Sequence, residues 1–320
     1  MLARALAGAC AAAMLAAPAG VQAAAPAHWN AVAGDQGSSA IQVTQFLPDS
    51  LTVDVGDTIT WTVNSGEFHT VTFLSGGPRP DLVIPAPGGG IQFNPVVAAP
   101  TAPPPGGYQG SGYVNSGLLF QGQTLSLQFG KAGTYQFVCL VHSGMTGTIQ
   151  VQQSGAPYPH DQPFYDAQAL AGKARFVGEG FGLSGAGLAA AISAGRNQET
   201  AGIGDPRVFV ASFLPQRLVV RAGQTVTWTN RDPETPHTVT FGTEPPGGPL
   251  GAFAPAGVDG PSHATIGSPG QSVNSGFVGN GFPFGTTFNV TFTAPGTYSY
   301  FCSLHDDLGM TGTIQVLPAG

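Results

Sequence analysis

One pattern runs twice through this chain of 320 residues, in the same order each time. Phe46-Leu47-Pro48 returns as Phe213-Leu214-Pro215. Gly56-Asp57-Thr58-Ile59-Thr60-Trp61 returns as Gly223-Gln224-Thr225-Val226-Thr227-Trp228. His69-Thr70-Val71-Thr72-Phe73 recurs intact from His237 to Phe241, and Val114-Asn115-Ser116-Gly117 recurs from Val273 to Gly276. Gly133-Thr134-Tyr135 matches Gly296-Thr297-Tyr298, and GMTGTIQV occupies both 144–151 and 309–316. Ordered matches of this kind mean that the two halves share one fold.

That fold reads as all-β. Residues 58–63, 124–129 and 134–138 alternate in type and are rich in β-branched and aromatic side chains. The same holds for 225–229, 286–293 and 297–301 in the second copy. Trp61 and Trp228 end equivalent strands and read as core residues. The stretch after the first copy has no counterpart. It carries Pro157, Pro159 and Pro163, then turns Ala/Gly-rich, and residues 166–177 fit a short helix with Asp166 near its start. The expected organisation is therefore a first domain over 28–152, a partly helical linker over 153–200 and a second domain over 201–318. Within each copy a Pro/Gly-rich loop, 75–113 or 242–272, follows the first repeated histidine and is placed to cover one side of a site.

Composition narrows the class. Charged residues make up 8% of the chain, while Gly (48) and Pro (28) are abundant, which suits short strands and long turns. A net charge of -7 argues against nucleic acid as a partner. Arg4, the Ala/Leu-rich run over 5–17 and Val21-Gln22-Ala23 read as a secretory signal over 1–23, which implies export to a periplasmic or extracellular space. No later segment reads as an integral membrane anchor. Removing the signal removes Cys10, so Cys139 and Cys302 are the remaining cysteines. A disulfide between them is one reading for an exported chain. It leaves the duplicated histidines and methionines without a reason.

Those residues form the constellation that carries chemistry. The first copy has an upstream His69, then Cys139, His142 and Met145; the second has His237, then Cys302, His305 and Met310. Two imidazoles, one thiolate and a weak axial thioether are the donor set of a blue copper centre. Zinc fits less well, because a thioether is a poor zinc ligand. In each copy three donors lie in one tight turn between the last two strands, and the fourth comes from a distant loop.

On these motifs both copies resemble the cupredoxins, the plastocyanin, pseudoazurin and amicyanin group of blue copper proteins. The spacing Cys302-x2-His305-x4-Met310 is similar to plastocyanin and pseudoazurin, and the shorter Cys139-x2-His142-x2-Met145 is similar to amicyanin. The resemblance implies two tandem Greek-key β-sandwiches and one type 1 copper in each. It also implies one-electron transfer, with a redox partner protein or a small electron donor or acceptor. His142 and His305 would be the electron exits, near the surface in apolar patches. Thr70 and Thr238 stand where azurin-like members often carry Asn, and their hydroxyls are candidates for linking the ligand loops.

Other copper chemistries lack their residues. Oxidases and nitrite reductases place a histidine beside the copper cysteine, whereas Cys139 has Val138 and Leu140 and Cys302 has Phe301 and Ser303. The remaining histidines, His28, His160 and His263, read as surface residues. The chain is thus expected to be a carrier and not an enzyme. Copper storage or delivery, and a purely structural secreted module, are the alternatives. The two sites are expected to differ, because Asp306 and Asp307 lie between His305 and Met310, whereas only Ser143 and Gly144 separate His142 from Met145.

Overall fold

Residues 25–38 and 40–320 are described by a computed structural model. The expected signal segment, 1–23, lies outside the described residues.

Each copy folds into two face-to-face sheets, because its alternating strands have one apolar face to bury. In the first domain one layer runs Ile41–Leu47, His28–Gln36, Thr58–Thr62, Thr124–Gln128. The facing layer runs Ser50–Asp54, Thr146–Gln152, Gly133–Val138, Thr72–Phe73, Val114–Asn115. The second domain repeats both layers in the same order, beginning with Val208–Leu214 and Gln198–Asp205, and adds an outer strand, His263–Ile266. Trp61 and Trp228 are fully buried between the layers, each edge-on to the aromatic ring at the equivalent position, Phe137 or Tyr300. Burying a large side chain of this kind contributes about 1.5–3 kcal/mol.

The domains are not beads on a linker. Strand Ile41–Leu47 pairs antiparallel with its own counterpart, Val208–Leu214, through Val43↔Val208, Gln42↔Phe209 and Ile41↔Val210. That pairing fuses the two layers into one nine-stranded sheet. Gln42 and Phe209 are equivalent positions, so the pairing sits on a local two-fold axis, like an isologous dimer contact made inside one chain. Side chains alternate across this seam. Ile41, Val43, Val208 and Val210 face a helix, and on the other face Gln42 meets Gly66 while Phe209 lies against the rings of His237 and His305.

The helix is Gln162–Ala194, far longer than the short one expected over 166–177. The Asp161 side chain accepts from Phe164 N at the start, and Gly195 at φ 114° ends it. Its glycines read as helix breakers, yet Gly180 and Gly187 are the contact points with the sheet. A Cβ on Gly180 would lie 2.5 Å from Ile41 Cγ2, and one on Gly187 would lie 2.9 Å from Leu214 Cδ1. Tertiary packing outweighs their poor helix propensity. By length and composition alone this helix could cross a membrane; here it lies along the seam, with Phe176 buried against it. The second domain's first strand opens at Gln198, inside the segment read as linker.

Candidate metal centres

The first histidine of each set is pinned by its backbone. His69 exchanges two hydrogen bonds with Leu119 (2.9 and 2.8 Å), and His237 exchanges two with Val278 (3.0 and 2.8 Å). Its ring enters the space left by a glycine at a β-bulge, Gly34 or Gly202. Both glycines have φ near +78°, and a Cβ on either would fall 2.0 Å from the histidine Nε2. This requirement was missed in the sequence, although Ala33-Gly34 does recur as Ala201-Gly202.

The late turn supplies the other donors. Cys139 N bonds to Met145 O at 2.9 Å and Met145 N to His142 O at 3.2 Å; the corresponding bonds in the longer second turn are 3.0 and 3.1 Å. All eight predicted side chains are buried. In the first domain Cys139 Sγ lies 3.8 Å from His69 Nδ1 and 3.7 Å from His142 Nδ1. In the second, Cys302 Sγ lies 3.9 Å from His237 Nδ1 and 3.4 Å from His305 Nδ1, and the two Nδ1 atoms are 3.1 Å apart. Within each set the three donor atoms lie inside 4.8 Å of one another. Each thiol therefore faces imidazoles of its own domain, and both cysteines are free.

Thr70 and Thr238 do link the loops. The Thr70 hydroxyl accepts from Leu140 N at 2.7 Å, and Thr238 accepts from Ser303 N at 2.8 Å. Their own amides point at sulfur, Thr70 N 3.4 Å from Cys139 Sγ and Thr238 N 3.2 Å from Cys302 Sγ. The Val-Asn-Ser-Gly element, repeated without an evident role, turns out to be a brace: Ser116 and Ser275 hydroxyls accept from Val71 N and Val239 N at 2.9 and 2.8 Å.

Burial sets the proton states. It holds His69 and His237 well below the usual imidazole range and pushes His142 and His305 down to about 3. It raises the Cys139 thiol and pushes the Cys302 thiol up to about 11. Neutral imidazoles are the form that binds a metal, and a buried thiol gives up its proton when a cation replaces it. At His69 the tautomer follows from its neighbour. Ser65 Oγ donates to Glu67 O at 3.0 Å, so it accepts from His69 Nε2–H at 2.7 Å, which leaves Nδ1 bare towards the thiol. His237 Nε2 has no such partner.

The donor types, their neutrality and their convergence fit copper in a trigonal set of two imidazole nitrogens and one sulfur. A family described as copper binding proteins, plastocyanin/azurin family, matches residues 34–152 and 210–317. The chain belongs to that family. It takes copper at two type 1 sites, one per domain. The plastocyanin of Scenedesmus fuscus is 34% identical over 105 residues, spanning 32% of this cupredoxin and 85% of that protein. A chloroplastic plastocyanin of Tetradesmus obliquus is 30% identical over 143 residues, 44% of this chain and 80% of that one. Among solved structures, an oxidised proline-to-alanine mutant of amicyanin matches with 20% identity and a TM-score of 0.26, over 39% of this chain and 82% of that one.

One expectation fails. His142 and His305 do not emerge at the surface: they are 5% and 3% exposed, because each ligand turn packs on the other domain. A Cβ on Gly144 would lie 2.6 Å from Pro206 Cβ, and one on Gly66 would lie 2.3 Å from Leu308 Cδ2. Glu67, also buried, reaches across so that its Oε1 lies 3.3 Å from His305 Nε2. Burial, with Asp307 and Asp232 nearby, pushes Glu67 up to about 8, so this contact joins two neutral groups at neutral pH. In the reverse direction Glu234 accepts from Ser143 N at 3.1 Å and from its hydroxyl. The other histidines stand apart: His28 bonds Thr60, His160 stacks on Phe164, and His263 bonds Asp259.

The long loop over 75–113 reaches the first site, where its Arg79 donates to Cys139 O. Its charge acts on both Cys139 and His142.

Proposed function

We propose that this cupredoxin is an exported one-electron carrier, with one copper held by His69, Cys139, His142 and Met145 and the other by His237, Cys302, His305 and Met310. The observation that carries this reading is the convergence of two neutral imidazoles and a thiol, twice, at one end of a sandwich. A rigid cage limits rearrangement between the two oxidation states, which is what a carrier needs. Met145 and Met310, buried in the same turns, would supply the weak thioether donors. The side chains flanking the cysteines, Val138, Leu140, Phe301 and Ser303, offer no ligand for a second metal, which supports a carrier over an oxidase. Export rests on the leader over 1–23.

Metal analysis with a visible spectrum tests the assignment. The expected result is one copper per domain and an intense blue colour that mediators bleach reversibly, with copper retained. Zinc alone, or a bond between Cys139 and Cys302, would overturn it. Copper release on reduction would favour delivery over electron transfer, and steady dioxygen consumption would favour an oxidase.

A further inference from the structure

The local two-fold axis at Gln42 and Phe209 turns the two ligand turns towards each other's domain. What lies between the sites is specific. His69 Nε2 is 2.7 Å from Ser65 Oγ, Ser65 Oγ is 3.0 Å from Glu67 O, and Glu67 Oε1 is 3.3 Å from His305 Nε2. Every member of this series is buried. It begins on the ring edge of a first-site ligand and ends on the ring edge of a second-site ligand. The nine-stranded sheet and the helix packed along its seam fix the separation, so no domain swing is needed to bring the sites together.

We propose that Ser65 and Glu67 join the two copper sites into an internal electron-exchange pair, with His142 and His305 turned inward instead of towards a docking partner. This rests on the copper assignment above. In each event one electron leaves the reduced centre of one domain and enters the oxidised centre of the other. No bond forms or breaks, and no proton leaves the series. Glu67 acts as a positioning residue: it holds the His305 ring from behind and carries the contact across the interface. The charges set a direction. Arg79 stands beside the first site, donating to Cys139 O, while Asp307 in the second ligand turn and Asp232 lie near Glu67 at the second, so electrons run from the second site to the first.

The test is pulsed reduction of the copper-loaded full chain with less than one equivalent of a small radical donor, followed by absorbance and freeze-quenched EPR. The expected record has a bimolecular phase and then a redistribution between sites whose rate does not change with protein concentration. Glu67→Leu should slow that redistribution several-fold and shift the midpoint of the second site alone. Glu67→Gln, which keeps a polar group on His305 Nε2, should restore most of the rate. Ser65→Ala should slow it with the second-site midpoint unchanged. A redistribution rate that scales with concentration, or one that is the same in Glu67→Leu and Ser65→Ala as in the parent, would overturn the pair. Failure of the copper assignment shows separately, as a chain with no blue bands before any pulse. If Glu67→Leu does not fold, Ser65→Ala and Glu67→Gln still decide the question.

Discussion

The two metal-binding ends share their donors and their backbone bracing, and they differ in what stands behind the donors. Behind His69 is a serine hydroxyl; behind His237, where the loop from Trp228 is one residue longer than that from Trp61, there is no partner for Nε2. On the two-fold axis the first domain places Gln42, which accepts from Gly66 N at 3.0 Å. The second places Phe209, whose ring lies 5.7 Å from that of His305 and 6.4 Å from that of His237. Deeper in the sandwich Ala31 and Phe137 are replaced by Glu199 and Tyr300, whose hydroxyl bonds to the buried Glu199 carboxylate. A repeat keeps the groups that touch the metal, because their geometry leaves little freedom. The shell behind them changes, and that shell tunes the site.

The comparison breaks most sharply at the thiols. Cys139→Ser should remove one copper site and its blue band and spare the other, and Cys302→Ser should do the converse; copper content and the visible spectrum read both. Loss of all colour from either single change would mean one shared site in place of two. Next in size is the buried Glu199. Burial pushes its carboxyl from 4.5 up to about 8, so between those values the folded chain keeps a proton that the unfolded chain has lost. Stability therefore falls as pH rises through that window, by an amount on the order of a few kcal/mol, and levels off above it. Glu67 is shifted to about 8 and Asp232 to about 6 in the same direction, so Glu199→Gln should reduce the slope without abolishing it. Denaturant midpoints at pH 5 and pH 8 measure this; an unchanged slope would place the pH dependence in the interface. The smallest effect is electrostatic. Arg79→Gln removes a positive charge near Cys139, which favours Cu(II) and should lower the first-site potential towards that of the second. Solvent screens an exposed guanidinium, so the shift should be modest and shrink with added salt. An unmoved midpoint in a redox titration would assign the asymmetry to the unequal ligand turns.

The sequence alone marked the candidate donor sets and determined the strand pattern and the duplication. Those features are local or repeat-encoded: Cys139, His142 and Met145 sit in one turn, and His69 recurs with its flanking strand. Thr70 was only a candidate link between ligand loops, suggested by the resemblance to azurin-like members; the bond from Leu140 N to its hydroxyl is seen only in the structure. Gly34 and Gly202 left only a faint trace, a repeated Ala-Gly pair, since the space they leave is defined by a ring that arrives from a distant loop. The full length of the helix Gln162–Ala194 was hidden for a related reason. Glycine disfavours an isolated helix, and only the sheet against which Gly180 and Gly187 rest makes those positions favourable. Domain orientation was decided by tertiary structure. The pairing of Ile41–Leu47 with Val208–Leu214 joins two strands that each already satisfy the pattern of an apolar strand, and nothing in either marks the other as its neighbour. That one pairing buries His142 and His305 and sets Glu67 against His305, because an edge strand's free amides and carbonyls must be met by something, and here they are met by the second copy of the same strand.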